Sequence, residues 1–209
     1  MTVFKYIILV ALAYLLGSVS MSYIVGKYAK GVDIRTKGSG NLGSTNALRV
    51  LGWKCAVITV AYDILKGVAT IWIADLMFDG QLESIAIMLG GIAVIAGHNF
   101  PFYLKFKGGK GIATSFGIAL YLNPIAAVAL LIIEFGIIFS TGYVSLASVI
   151  SAAVYPFLVI FLWSGHVGDV WYWILCVVLA VLAIYRHRSN IKRLIDGNEN
   201  RFTFGKKNK

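Results

Sequence analysis

Seven apolar stretches, divided by short patches of charge, decide what this chain can become. They run near 3–25, 53–78, 84–104, 110–122, 124–141, 144–164 and 170–186. A bilayer crossing needs about 20 mostly apolar residues. In lipid each spanning segment must satisfy its own backbone polar groups, which leaves the α-helix as the structure for such stretches. The pattern predicts an all-α integral membrane protein with seven transmembrane helices. The fourth stretch is the shortest. Pro124 marks the break after it, because proline disfavours helix at the preceding residue. Only 13% of the residues are charged, about half the share in a soluble globule. One membrane-embedded domain, 1–209, is the expected organisation, and the residues after about 200 are expected to form a disordered basic tail. Lys5 precedes the first stretch and no small-residue cleavage site follows. That segment is therefore expected to stay as a helix rather than leave as a signal peptide.

The net charge is +10. In a soluble chain this would suggest nucleic acid. Here the cations sit beside apolar blocks, so the expected partners are the lipid bilayer and anionic substrates, with no nucleic acid. Seventeen of the 19 Lys and Arg residues lie in three places: 26–54, 104–110 and the segment from 186 onward. The other connections carry Asp79, Glu83 and Asp169 and no Lys or Arg. With seven spans, all three basic patches fall on one side. The positive-inside rule makes that side the cytoplasm, with the N-terminus outside and the C-terminus inside. Without the fourth span the patches would split across the membrane. Cys55 and Cys176 lie in separate apolar segments, so neither a disulfide framework nor a thiol metal site is expected.

The three basic patches carry the chemistry. The first contains "SGNLGSTNALR", from Ser39 to Arg49. Gly40 and Gly43 allow close backbone approach. Ser44 or Thr45 is a candidate cap for a short helix through Ala47, Leu48, Val50 and Leu51. A helix N-terminus suits phosphate, and Arg49, one turn on, offers a planar fork that matches phosphate oxygens. The alternative is a polar turn with a solvated arginine. The second is "GHNFPFYLKFKGGKGIAT". Gly108, Gly109 and Gly111 around Lys110 resemble a phosphate loop in their physics, with free amides running into a helix. A Walker A loop is excluded because Gly111, rather than Ser or Thr, follows Lys110. A flexible basic turn is the alternative. The third is "RHRSNIKRLIDGNENR". Asn190 and Arg193 share a helix face, and Gly197 is a helix terminator. His187, between Arg186 and Arg188, is expected to be neutral at pH 7 because nearby cations disfavour its protonation. Glu199 is an acid among cations. It either orients a basic residue or acts as a general base.

Several polar groups fall inside the apolar stretches. Asp63 and Lys66 are three residues apart, and ionisable groups at that depth face a partner or a wet cavity. Either they pair with each other or Lys66 reaches an anionic substrate. Glu134 has no partner assigned from sequence. Ser145 and Ser148 lie one turn apart, with bonding to helix carbonyls as the ordinary reading. His98 ends an apolar helix and is given no metal role.

Taken together, these segments closely resemble the bacterial acyl-phosphate:glycerol-3-phosphate acyltransferase family. Ser39, Gly40, Asn41, Gly43, Thr45, Asn46 and Arg49 carry the first motif. Gly97, His98, Pro101, Phe106, Gly108, Gly109, Lys110 and Gly111 carry the second. Arg186, His187, Asn190, Ile191 and Arg193, with Glu199 beyond, carry the third. The "DILKG" around Asp63 and Lys66 is also similar to that family. The resemblance implies an enzyme of the bacterial inner membrane with its active site facing the cytoplasm. It would move a fatty acyl group from acyl phosphate to the 1-hydroxyl of sn-glycerol 3-phosphate, the first step of phospholipid synthesis. The products are 1-acyl-glycerol 3-phosphate and phosphate, and no cofactor or metal is implied. The candidate catalytic residues are His187, Asn46, Lys110 and Glu199. The candidate substrate-binding residues are Ser39, Gly40, Asn41, Gly43, Thr45, Arg49, Lys66, His98, Lys107, Gly108, Gly109, Gly111, Ser145, Asn190 and Arg193. Backbone amides with Asn41 or Asn46 are candidate oxyanion donors. The proton acceptor is left open among His187, His98, Glu199 and a substrate phosphate. No histidine has an Asp five positions later, which argues against the H-x-x-x-x-D chemistry of acyl-CoA-dependent enzymes. A transporter of an organophosphate anion is the alternative reading; the polar groups gather on one face and no repeat is visible, which weighs against it.

Overall fold

The computed structural model describes residues 2–78, 83–162 and 169–202, and these contain helices and loops but no strand. Each of the seven apolar stretches is helical. The first is α1 (Thr2–Ser18), which breaks at Val19–Ser20 and continues through α2 (Met21–Ile24) and a π-turn at Val25–Ala29. The short α3 (Ser44–Leu51) leads into α4 (Trp53–Met77). Then follow α5 (Ser84–Asn99), α6 (Ile112–Leu122), α7 (Pro124–Thr141), α8 (Val144–Phe161), α9 (Val170–Arg186) and α10 (Arg188–Ile195).

Five of these units are long and apolar enough to cross a membrane: Thr2–Ala29, α4, Ser84–Leu104, α7 and α8. The 17 residues of α9 are apolar, and the chain then bends by 56° into the basic α10. The fourth stretch, expected over 110–122, forms a helix only from Ile112, and its 11 residues are about half of a full crossing. Pro124 occupies the first turn of α7, where its missing N–H costs nothing, and Asn123 caps that helix through Ala126 N at 3.0 Å. The end of the sixth stretch beyond residue 162, the Asp79 connection and the tail after residue 202 lie outside the described residues.

Helices in lipid associate through close packing rather than water exclusion, and glycine makes two contacts possible. A Cβ on Gly17 of α1 would lie 2.1 Å from the Val94 carbonyl oxygen of α5, and one on Gly97 would lie 2.2 Å from that of Tyr14. Between α4 and α6 the same role falls to Gly67 and Gly117, whose Cβ atoms would meet Thr114 O at 2.3 Å and Ile64 O at 2.1 Å. These backbone-to-backbone contacts hold the short α6 against α4. The interior is filled by Ile71, Ile87, Val94, Ile95, Ile118, Leu175 and Leu179. Phe4, Ile7, Leu65, Ile132, Phe139 and Phe161 are exposed on the outside, as lipid contact requires. A second small core of Ile34, Leu42, Ala47, Leu51 and Leu104 anchors the first basic segment to the start of α4.

Candidate active site

The three basic segments converge on one cavity of about 1040 Å³. Its mouth is polar, lined by Ser39, Asn41, Thr45, Arg49, Lys107, Lys110, His187, Arg193 and Glu199. Its inner arm is largely apolar and runs between α7, α8 and α9 past Leu130, Leu131, Ile138, Leu179 and Ala183.

The first segment folds around one side chain. Asn46, 2% exposed, accepts from Ser39 N at 2.9 Å. Its Nδ2 donates to Asn41 O at 2.9 Å, with Lys37 O at 3.2 Å and Ile34 O at 3.4 Å close by. An amide has two N–H donors, and here the loop carbonyls consume both. Asn46 is therefore not an oxyanion donor, contrary to the expectation from sequence; it is the knot that holds the loop. Asn41 accepts from Gly43 N through Oδ1 at 2.8 Å, and its Nδ2 has no hydrogen-bond partner among the described residues. The cap of α3 is the backbone of Gly43, with no side-chain bond, rather than Ser44 or Thr45. Arg49 makes no hydrogen bond among the described residues, yet it lines the cavity and its charge is felt at Lys110.

The second segment corrects a further expectation. The amides of Gly108 and Gly109 are not free for an anion: they donate to Asn99 O and His98 O, both at 3.0 Å. Likewise Gly40 N donates to Lys37 O. Glycine is needed at 108 and 109 for closeness, since a Cβ would lie 2.1 Å from His98 O and from His98 Nε2 respectively. Gly111 is needed for its positive φ of 86°, which turns the loop into α6. The groups this loop leaves available to an anion are thus Lys110 and the first-turn amides of α6.

His98 sits beneath this loop with its Nδ1 2.8 Å from Lys66 Nζ and 3.4 Å from Asp63 Oδ1. Lys66 pairs with Asp63 at 2.7 Å and donates to Gly17 O and Val19 O. It is fully buried and does not line the cavity, so the mutual ion pair is the observed arrangement rather than contact with a substrate.

The third segment forms a wired wall. Glu199 Oε1 accepts from Ser145 Oγ at 3.0 Å and from Asn190 Nδ2 at 2.8 Å, and its Oε2 accepts from Arg193 Nε at 2.7 Å. These donors hold its carboxyl below the ordinary glutamate pKa although burial opposes this. A carboxylate so stabilised is a poor base, which corrects its place among the catalytic candidates: it buttresses Arg193 and Asn190. Asn190 accepts in turn from Lys110 Nζ, which leaves two of the three ammonium donors for the cavity. Burial lowers the Lys110 pKa to about 8, Glu199 opposes that shift, and Arg193, Arg186 and Arg49 add to it. Gly197 ends α10 as expected, with φ of 71°. Gly197 N donates to Leu194 O and Asn198 N to Arg193 O, which brings Glu199 back over the helix.

His187 stands at the break between α9 and α10, 3% exposed. Its Nδ1 lies 2.7 Å from Ala183 O. A carbonyl only accepts, so Nδ1 carries the hydrogen and Nε2 is an acceptor without a hydrogen-bond partner among the described residues. Burial, followed by the charge of Lys110, lowers its pKa to about 4. Neutrality was expected, but desolvation is its main cause. Arg186, not among the candidate site residues, donates to Gly109 O and Gly108 O at 3.0 Å each, pinning the glycine loop across 77 residues of sequence.

The rest of the chain's relationships accord with this geometry. Residues 7–197 match the family described as glycerol-3-phosphate acyltransferase. The chain is 47% identical over 187 residues to the glycerol-3-phosphate acyltransferase of Alkaliphilus metalliredigens, covering 90% of this chain and 91% of that one. It is 42% identical over 192 residues to that of Bacillus subtilis, covering 92% and 95%. Among solved structures it is similar to PlsY (YgiH), an integral membrane glycerol 3-phosphate acyltransferase, in its glycerol 3-phosphate form. The TM-score is 0.86 at 39% identity, with 95% of this chain and 96% of that one covered. The lysophosphatidic acid form of PlsY gives a TM-score of 0.84 at 38% identity, covering 95% of each chain. This multi-pass, all-helical chain belongs to the glycerol-3-phosphate acyltransferase family.

Proposed function

We propose that the chain transfers a fatty acyl group from acyl phosphate to the 1-hydroxyl of glycerol 3-phosphate, giving 1-acyl-glycerol 3-phosphate and phosphate. The observation that carries this reading is one continuous cavity, in which a cationic mouth opens directly into a largely apolar arm. Both substrates carry a phosphate and one carries a fatty chain, so each part of the cavity has a matching ligand part. The relatives' names supply the acyl acceptor.

In this reading Arg49, Thr45, Lys107, the free guanidinium end of Arg193 and the two unspent donors of Lys110 hold the two phosphates. Asn41 Nδ2 is the side chain left to support the oxyanion. His187 Nε2 accepts a hydrogen bond from the attacking hydroxyl and orients it. With a pKa of about 4 it is too weak a base to keep the proton at pH 7. The hydroxyl oxygen bonds to the carbonyl carbon, the bond to the phosphate oxygen breaks, and the departing phosphate takes the proton. Acyl phosphate has a good leaving group, so holding two anions together supplies much of the acceleration.

We place the three basic segments on the cytoplasmic side of the bacterial inner membrane, with seven spans and the N-terminus outside, on the strength of the charge asymmetry. The short α6 counts as the fourth span in that arrangement. The decisive assay uses purified protein in detergent with glycerol 3-phosphate, comparing palmitoyl phosphate with palmitoyl-CoA. Phosphate release and lysophosphatidate formation are expected with the first donor only. Equal turnover with the second would overturn the donor assignment.

A further inference from the structure

The inner arm of the cavity contains polar groups that a plain hydrocarbon chain does not use. Ser145, Ser148 and Ser151 descend α8 at intervals of three residues and all line the cavity. Ser148 and Ser151 therefore lie about 4.5 and 9 Å along the helix axis from Ser145. Ser145 is committed to Glu199 at the mouth. Ser148 Oγ instead donates to Glu134 Oε1 of α7 at 2.9 Å, and Ser151 lies beside the same carboxyl. Glu134 Oε2 and Ser151 Oγ are both buried and face one another, yet neither meets a partner in hydrogen-bond geometry among the described residues. Ser151 is 7% exposed. No cation stands within ion-pair distance of Glu134 among the described residues. An acidic group at this depth is costly unless something in the cavity uses it, and unpaired buried acceptors cost more still.

Resting on the reading above, in which the acyl chain occupies this arm, we infer that Glu134 and Ser151 form a binding station for a hydroxyl substituent on the acyl chain, a few carbons from its carboxyl end. The hydroxyl donates to Glu134 Oε2 and accepts from Ser151 Oγ, bridging the two atoms that face each other without a well-formed bond. Ser148 fixes the carboxyl plane so that Oε2 faces the arm. The enzyme thereby distinguishes hydroxylated from plain acyl donors by the position of the hydroxyl.

The test uses purified full-length protein, glycerol 3-phosphate, palmitoyl phosphate and a series of palmitoyl phosphates bearing one hydroxyl at successive carbons from the carboxyl end. One position is expected to give a kcat/KM at least equal to that of the plain chain, with its neighbours on both sides lower. Glu134→Leu and Ser151→Ala are each expected to lower the ratio of hydroxylated to plain kcat/KM at that position by about tenfold. Ser151→Ala removes a single oxygen, so it reports even where the larger change disturbs folding. A ratio that declines smoothly with position and is the same in wild type and Ser151→Ala overturns the station. Absence of turnover with plain palmitoyl phosphate would instead remove the donor reading on which it rests.

Discussion

The two sides of the cavity mouth are built in opposite ways. On the α10 side, Lys110, Asn190, Glu199, Arg193 and Ser145 form one connected network. On the α3 side, Arg49 projects from a helix whose supporting loop is closed on itself by Asn46, and the guanidinium makes no hydrogen bond among the described residues. The difference separates shape from binding. Side chains whose donors and acceptors are consumed by the protein fix the walls. Groups with capacity left over, namely Arg49, Asn41 Nδ2, His187 Nε2, the two unspent donors of Lys110 and the far end of Arg193, are the ones with something to offer a substrate.

The largest effect is expected where the fixed framework is forced apart. A Cβ at Gly108 would lie 2.1 Å from the His98 carbonyl oxygen, a backbone atom that cannot rotate away. Gly108→Ala should displace the loop that carries Lys110, and a displacement of about 1 Å costs roughly a hundredfold in rate. Initial rates beside a thermal melt check this, and wild-type kinetics would mean the loop is not held as described.

A smaller effect is expected from pH. Lys110 is charged below about 8, so its attraction for a phosphate is present at pH 7 and fades above that value. KM for the substrate it holds should rise by up to about tenfold per unit of pH above 8, while kcat moves less because a bound anion raises the lysine's pKa. His187, with its pKa lowered to about 4 by burial and by Lys110, is expected to contribute no inflection near pH 6.5. A KM flat to pH 9.5 for both substrates, as roughly one and a half units beyond the lysine's pKa, would take Lys110 out of the binding role.

The smallest effect belongs to the wired wall itself. Glu199→Gln keeps a hydrogen-bonding group but loses the charge facing Arg193. Because the Arg193 side chain is 37% exposed, the loss is about 1 kcal/mol, or a fall of about 2–4 °C in melting temperature. The folded pKa of Glu199 is depressed, so its contribution is present above its ordinary value near 4.5 and disappears as pH falls through the lower folded value. The gap between wild type and Glu199→Gln should therefore close in acid. A gap that does not narrow as pH falls below the ordinary glutamate range would assign the stabilisation to something other than this ion pair.

Much of this was legible in the sequence because it is local. The seven apolar stretches, the short helix that carries Arg49, the Gly197 stop and the shared face of Asn190 and Arg193 all follow from spacing along the chain. Most of the residues that line the cavity mouth were likewise visible in three polar patches that a membrane protein has little other reason to keep. What spacing does not encode is how each polar atom is used. Asn46 looks like a free amide until Ile34, Lys37 and Asn41 fold around it. The amides of Gly108 and Gly109 look available until the end of α5 takes them. Arg186 gave a signal by standing beside His187, but its grip on the glycine loop depends on α9 passing α5. The link between Ser148 and Glu134 joins α8 to α7, where the ordinary expectation was a bond within one helix. In each case the partner lies on another element, chosen by packing rather than by sequence period.

Arg49→Lys tests the division between spent and unspent groups most directly. The substitution keeps the positive charge and removes the planar fork that pairs with two phosphate oxygens. Charged hydrogen bonds contribute on the order of 1.5–3 kcal/mol, so kcat/KM should fall about ten- to a hundredfold. Arg49 makes no hydrogen bond among the described residues, so the melting temperature should stay at the wild-type value. Initial rates with glycerol 3-phosphate and palmitoyl phosphate varied in turn, beside a thermal melt, give both readings on one preparation. A loss of activity without a loss of stability is the expected result. Wild-type kinetics in both titrations, or a fall in stability that matches the fall in activity, would contradict the account.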